Sequence, residues 1–285
     1  ATIWGVAFVA HSVGMEYIGP FTFNAIRCVL GGMVLIPVIL VLKKKKETGA
    51  ENQEKEDRKT LWMGGIACGV ILCIASNLQQ FGIMEASVGK SGFFTALYIV
   101  MIPVIGIFIG KRPGIKLWFC VVLAVVGMYL LCMKDGSFTI ERADIMLLLC
   151  ALAFSFHILV VDYFSPKVDG VKMSCIQFFV CGVLSAVGML FTETPDISNI
   201  QAAWLPLLYA GLLSCGVGYT LQIVGQKGIN PVIASLIMSL ESVISALAGW
   251  VILGQVLSPK EILGCILMFV AIIITQIPIG NKKTD

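Results

Sequence analysis

Apolar residues run almost unbroken through most of this chain, and polar residues gather in short clusters between the runs. A helix needs about 20 predominantly apolar residues to cross the hydrocarbon of a bilayer. Ten runs reach or approach that length, bounded by charge, Pro, Gly or Asn: Ile3 to Tyr17, Phe21 to Leu42, Leu61 to Met84, Gly89 to Ile109, Ile115 to Met133, Asp144 to Tyr163, Val171 to Phe191, Trp204 to Val224, Val232 to Leu253 and Ile262 to Ile279. The runs are continuously apolar, whereas strands of a membrane barrel alternate over about 10 residues, so a barrel is excluded. The pattern predicts an all-α integral membrane protein with ten transmembrane helices. The first run is short and starts without a methionine, so a few N-terminal residues are expected to be missing. No charged leader or cleavage signal precedes it, which argues against a cleaved signal peptide.

Composition strengthens this reading. Hydrophobic residues make up 58% of the 285 and charged residues 13%, with a mean hydropathy of +0.94, where a soluble domain averages about 25% charged. The net charge of +3 is small, and the basic residues lie beside apolar runs without forming a patch, so nucleic acid is excluded as a partner. The expected partners are the lipid bilayer, a small-molecule substrate and protons; oligomeric state is not legible. Ten cysteines fall mostly inside the runs without a CxxC pair and read as small buried hydrophobes, not as a disulfide frame or a zinc site. No GxxxxGK[ST] phosphate loop and no cofactor motif is present, so the energy source is expected to be a proton or solute gradient, or transport is simple facilitation.

Lysine and arginine set the orientation. With the N-terminus cytoplasmic, fifteen of them face inside and four outside, with Arg27 inside the second run. Both termini are therefore expected on the cytoplasmic side of a cell membrane. The mixed stretch Lys43 to Lys59 is expected to be a solvated cytoplasmic loop, too polar to bury and without assigned structure.

The chain also repeats itself. A shift of 143 lays Leu78-Gln79-x-x-Gly82 on Leu221-Gln222-x-x-Gly225 and Tyr98 on Glu241; a shift of 146 lays His11 on His157. Two repeats follow, residues 1–138 with the cytoplasmic loop 43–60, and residues 139–285. Each holds five of the ten runs, and since five is odd the second enters the membrane in the opposite sense. Inverted-topology repeats build many secondary transporters, with the solute site near the midplane between the halves.

Glu241 stands alone as an ionisable residue in the run Asn230 to Gly254. An ionised carboxylate in hydrocarbon costs several kcal/mol, so such residues usually face a bundle interior or a wet cavity and often mark a solute or proton path. Its repeat mate Tyr98 is expected across the two-fold from it. His11 and His157 are the only histidines and occupy equivalent positions, which suits proton coupling or a hydrogen bond to solute. Asn77 and Gln80 share one helix face, with Gln79 turned elsewhere; Tyr219, Gln222 and Gln226 share another. Trp4 is read as a cap on the cytoplasmic side of the cavity or as an interfacial belt residue. For each of these an interhelical tie is the competing reading. Two histidines without neighbouring carboxylate or thiolate make no metal site. Arg27 is expected to snorkel outward or to pair with Glu16 or Glu85, with a clamp for a solute carboxylate as the other reading. Gly31, Gly32, Gly64, Gly65, Gly249 and Gly264 are read as close helix contacts.

Trp4-Gly5-x-x-Phe8, Asn24-x-x-Arg27, Gln79-x-x-Gly82, Phe94-x-x-Leu97-Tyr98 with Pro103, Ala234-Ser235-Leu236 through Ser239-Leu240-Glu241, and Gly249-x-x-x-Leu253-Gly254-Gln255 followed by Gly264 together resemble the EamA-type ten-helix branch of the drug/metabolite transporter superfamily. The resemblance implies a transporter, commonly an exporter, of amino acids, other small metabolites or drugs. Two positions depart from it: Ser242 stands where a proline often follows the glutamate, and Gln255 where a glutamate is common. Without that proline the helix is expected to be less kinked. The expected mechanism is alternating access around a cavity lined by Glu241, Tyr98, His11, His157, Asn77, Tyr219 and Trp4. An intramembrane enzyme, which needs an acid/base or nucleophile constellation, and a lipid-handling protein stay open as the other readings.

Overall fold

The computed structural model describes residues 1–48, 57–86, 88–110, 113–132, 141–244, 247 and 258–277, and the regular structure among them is helical. The helices are α1 (Thr2–Met15), α2 (Pro20–Thr48), α3 (Arg58–Glu85), α4 (Val88–Ala96), α5 (Tyr98–Phe108), α6 (Ile115–Cys132), α7 (Arg142–Phe164), α8 (Gly170–Thr192), α9 (Ile197–Ala202), α10 (Trp204–Leu208), a π-helical segment (Tyr209–Tyr219), α11 (Thr220–Gln226), α12 (Pro231–Met238) and α13 (Pro259–Gln276). Six stretches of helix among the described residues are long and apolar enough to cross a membrane: Pro20–Lys44, Arg58–Glu85, Ser91–Phe108, Arg142–Phe164, Gly170–Thr192 and Trp204–Gln226. The chain is therefore a multi-pass membrane protein. Gly249, Gln255 and the end of the run to Leu253 lie outside the described residues.

The loop boundaries differ from the sequence reading. Helix α2 continues past Leu42 through the tetralysine to Thr48, and α3 restarts at Arg58. Lysine and glutamate are good helix formers, so a helix leaving the bilayer extends into water on propensity alone. Asp57 caps the restart, accepting from the Lys59 amide at 3.0 Å and from the Thr60 hydroxyl. The Thr60 hydrogen bond first, and then the backbone ones, hold its carboxyl below the usual range.

The bundle is apolar on its outside as well as in its core, and a set of polar residues is buried within it. Phe119, Val122, Leu190, Phe191, Ile266 and Ile273 are exposed, while Asn24, Arg27, Gln80, Gln177 and many serines are buried. Lipid solvates the first set; internal hydrogen bonds serve most of the second. Helix α2 packs along α8 and the π segment, α3 lies against α7 and α8, and α6 runs beside α13. Glycine makes these approaches possible. A Cβ on Gly31 would stand 2.5 Å from Cys215 Cβ, one on Gly65 2.5 Å from Ile176, and one on Gly264 2.5 Å from the Gly127 carbonyl oxygen. Because its neighbour is backbone and cannot swing aside, Gly264→Ala is expected to destabilise the α6–α13 pair by about 2 kcal/mol, read as a lower melting temperature of purified protein; an unchanged melting temperature would refute the contact.

A tie across 172 residues closes one rim. Glu193, just past α8, accepts from the Phe21 and Thr22 amides at 2.9 and 2.8 Å and from the Thr22 hydroxyl at 2.6 Å. The carboxylate thus caps the N-terminus of α2, where the helix dipole favours negative charge. Gly19 leaves it room, since a Cβ there would lie 2.3 Å from the carboxyl carbon.

Candidate functional site

Two helix breaks build the site. The run Ser91–Phe108 is interrupted at Leu97, between α4 and α5, and the run Pro231–Ile244 at Ser239, just after α12. Tyr98 follows the first break directly and Glu241 follows the second by two residues. Pro103, inside α5, cannot donate to the Ile99 carbonyl and weakens the first helix. In the second the hydroxyls compete with the backbone: Ser235 Oγ donates to the Val232 carbonyl and Ser239 Oγ to that of Leu236, each at 2.8 Å. The regular helix is thus interrupted at Ser239, three residues before Ser242.

At the breaks the Tyr98 hydroxyl donates to Glu241 Oε1 at 3.3 Å, a contact between residues 143 apart, the repeat spacing itself. Both side chains are buried. They lie in the wall of a cavity with about 510 Å³ of empty space, counted out to its mouth. Trp4, Phe8 and His11 of α1, Gln79 of α3, Thr95 of α4, Phe154 of α7, and Ser214, Tyr219 and Gln222 of the π segment and α11 complete most of the lining. Gly5 lets α1 reach this place: a Cβ there would stand 2.7 Å from the Glu241 carbonyl oxygen. Trp4 leans on Tyr219 with ring centroids 4.8 Å apart, and Gly218 leaves space for its indole edge.

Of the residues singled out from the sequence, Glu241, Tyr98, His11, Tyr219 and Trp4 line this cavity. His157 and Asn77 do not. His157 is fully buried behind Tyr219, its ring edge-on at 6.1 Å, with Nε2 against Gln177 Oε1 at 3.1 Å. Asn77 bonds Asn24 at 2.9 Å, Ser185 at 3.0 Å and the Cys73 carbonyl at 2.8 Å. The α3 face that meets the cavity is that of Gln79, while Asn77 faces α2 and α8. Periodicity separates the two faces without saying which one lines the cavity.

Arg27 corrects its expectation. It neither snorkels nor pairs with Glu16 or Glu85: it is 2% exposed, with Nε donating to Asn24 Oδ1 at 2.6 Å and Nη1 facing His11 Nε2 at 2.8 Å. Asn24 and Arg27 form one polar row on α2, and α3 and α1 present Asn77 and His11 to it. Inward partners at hydrogen-bond distance outweigh the strain of reaching for a distant rim. A continuous chain of polar contacts thus runs from Ser185 through Asn77, Asn24 and Arg27 to His11 at the cavity wall. Gln226 is another tie, donating to the Ile158 carbonyl at 2.7 Å.

Thr95 and Ser214 were not found from the sequence. Thr95 sits three residues before Tyr98 and hence on its face, a readable signal. Ser214 lies in the π segment, whose wider turn shifts the register away from the 3.6-residue period, so no α-helical face analysis points to it.

A membrane bundle whose described regular structure is helical, with a carboxylate at the wall of a largely apolar cavity beside paired helix breaks, has the form of a solute transporter. The chain belongs to the EamA-like transporter family, which matches residues 1–133 and again residues 141–277. It is 27% identical over 278 residues to an uncharacterized transporter of Archaeoglobus fulgidus, covering 97% of this chain and 83% of the relative. It is 23% identical over 269 residues to the threonine/homoserine exporter RhtA of Escherichia coli K12, covering 92% of this chain and 83% of the relative. A solved crystal structure shares the fold with a TM-score of 0.74 at 17% identity, covering 96% of this chain and 95% of that one. The family and these relatives are transporters, not enzymes, and so is this chain.

Proposed function

We propose that the protein is a secondary transporter that exports small amine-bearing solutes, amino acids foremost, by alternating access around the Glu241 cavity. The observation that carries this reading is the Tyr98–Glu241 contact at 3.3 Å, a carboxylate held at the wall of a largely apolar cavity. A buried carboxylate attracts an ammonium group strongly where little water competes. The breaks at Leu97 and Ser239, within one residue of the repeat spacing, together with the double family match, support two five-helix halves that rock against each other. Five helices per half invert the second, and the lysine and arginine asymmetry favours a ten-helix arrangement in the cell membrane with both termini cytoplasmic. Export of amino acids draws its support from the relative named for threonine and homoserine.

A thermal-shift screen of purified protein tests the solute class. Ligands that bind the folded state stabilise it by about 2.7 kcal/mol at a hundred times their Kd. Amino acids and small amines are expected to raise the melting temperature, and uncharged sugars and nucleobases to leave it unchanged. Shifts with sugars or nucleobases and none with amines would overturn the reading.

A further inference from the structure

Arg27 and His11 meet in a way that fixes the chemistry of the cavity wall. A guanidinium carries only donors, so the 2.8 Å contact requires a lone pair on His11 Nε2. The imidazole therefore holds its single proton on Nδ1. That nitrogen bonds no other described residue, and the ring lines the cavity. His157 is set the other way: its Nε2 meets Gln177 Oε1, which accepts, and its Nδ1 is sealed without a partner. The two repeat-equivalent histidines thus sit in different surroundings. Arg27 anchors only the first, and is itself anchored through Asn24 and Asn77.

The charge balance points the same way. Arg27 is buried, and among the described residues no carboxylate pairs with it; it bonds His11 and Asn24, the Phe23 ring lies at 5.8 Å, and Cys28, Cys181, Cys215 and Tyr219 are also near it. A buried charge without a counter-ion is costly. Donation from Arg27 into Nε2 also withdraws electrons from the ring and strengthens the opposite N–H as a donor.

We propose that His11 is a specificity-determining residue that donates its Nδ1–H to the carboxylate of the transported solute, and that Arg27 is the positioning residue that sets this tautomer and supplies the compensating charge. Building on the reading of Glu241 as the amine site, the solute class is then a zwitterion, its ammonium at Glu241 and Tyr98 and its carboxylate at His11. Arg27 is not the clamp itself; the imidazole stands between it and the cavity.

The probes are L-threonine and L-threonine methyl ester, which differ by the carboxylate charge. Wild-type protein is expected to bind the acid about tenfold more tightly than the ester, as for a hydrogen bond to a charged group. His11→Phe keeps a ring of similar shape and should weaken threonine about tenfold while changing the ester less than about twofold. Side-chain nitrogen NMR of the His157→Gln protein, which has one histidine, should show His11 protonated at Nδ1. Arg27→Lys, which still donates to Nε2, should keep that signature and the discrimination; Arg27→Met should lose both. If Arg27→Met does not fold, the His11→Phe ratio and the spectrum still decide. A His11 protonated at Nε2, or an acid-to-ester ratio unchanged in His11→Phe, overturns the proposal. Equal binding of acid and ester by wild-type protein, abolished for both in Glu241→Gln, overturns it and leaves the amine site standing. No binding of either probe overturns both readings.

Discussion

Glu241→Gln is expected to weaken binding of amine-bearing solutes by about a hundredfold while leaving the empty protein as stable as before, or more so. The affinity loss follows from removing the carboxylate charge that faces this cavity, where an ammonium–carboxylate contact stripped of water contributes about 3 kcal/mol. Glutamine has nearly the same shape and keeps an oxygen that accepts from the Tyr98 hydroxyl, now at 3.3 Å. The neutral amide also removes the desolvation cost of a buried charge, so the melting temperature of ligand-free protein should hold or rise. Tyr98→Phe removes one hydrogen bond and no charge, and the expected loss is about 1 kcal/mol, or fivefold. Isothermal titration with threonine on the three proteins checks the ranking. A Glu241→Gln protein that binds threonine as tightly as wild type would remove the carboxylate from the site.

Asn24→Leu is expected to be among the most destabilising single changes in the chain. Asn24 accepts from Arg27 Nε at 2.6 Å and donates to Asn77 Oδ1 at 2.9 Å, and it is fully buried. Loss of a neutral interhelical hydrogen bond in a membrane costs only about 0.6 kcal/mol on average. Stripping a buried guanidinium of an acceptor costs more, about 3 kcal/mol, since no water replaces it. The charged partner decides the outcome, and Ser185→Ala is the control: it removes a neutral contact at the far end of the same chain, Asn77 Nδ2 to Ser185 Oγ at 3.0 Å. Thermal unfolding of the detergent-solubilised proteins should show a large drop for Asn24→Leu and a small one for Ser185→Ala. Equal effects would mean that Arg27 draws no stability from Asn24.

The same network shows where reading the sequence stops. Arg27 was recognisable as a buried charge in an apolar run, but its partners were sought at the nearest carboxylates, Glu16 and Glu85. The partners it has, Asn24 and His11, lie three and sixteen residues away in sequence, and the second is reached only because α1 folds back on α2. The Glu193 cap on α2, 172 residues distant, left no local signal at all. Tyr98 and Glu241 were paired in advance, because a sequence repeat is a long-range relation written in the chain.

Apolar runs of bilayer length, the lone carboxylate in one of them, and the spacing of 143 that joins it to Tyr98 were determined by the sequence by itself, for a physical reason: lipid forces every spanning segment to satisfy its own backbone, so length and polarity alone select helices. Which face of each helix meets the cavity was decided only in three dimensions. Gln79 rather than Asn77 lines the cavity, Ser214 enters through a π segment, and His157 withdraws behind Tyr219. In a bilayer both the lipid side and the packed side of a helix are apolar, so the hydrophobic pattern that orients a soluble helix carries little direction here. Small residues and polar partners on neighbouring helices set the rotation instead, and those are known only once the helices are packed.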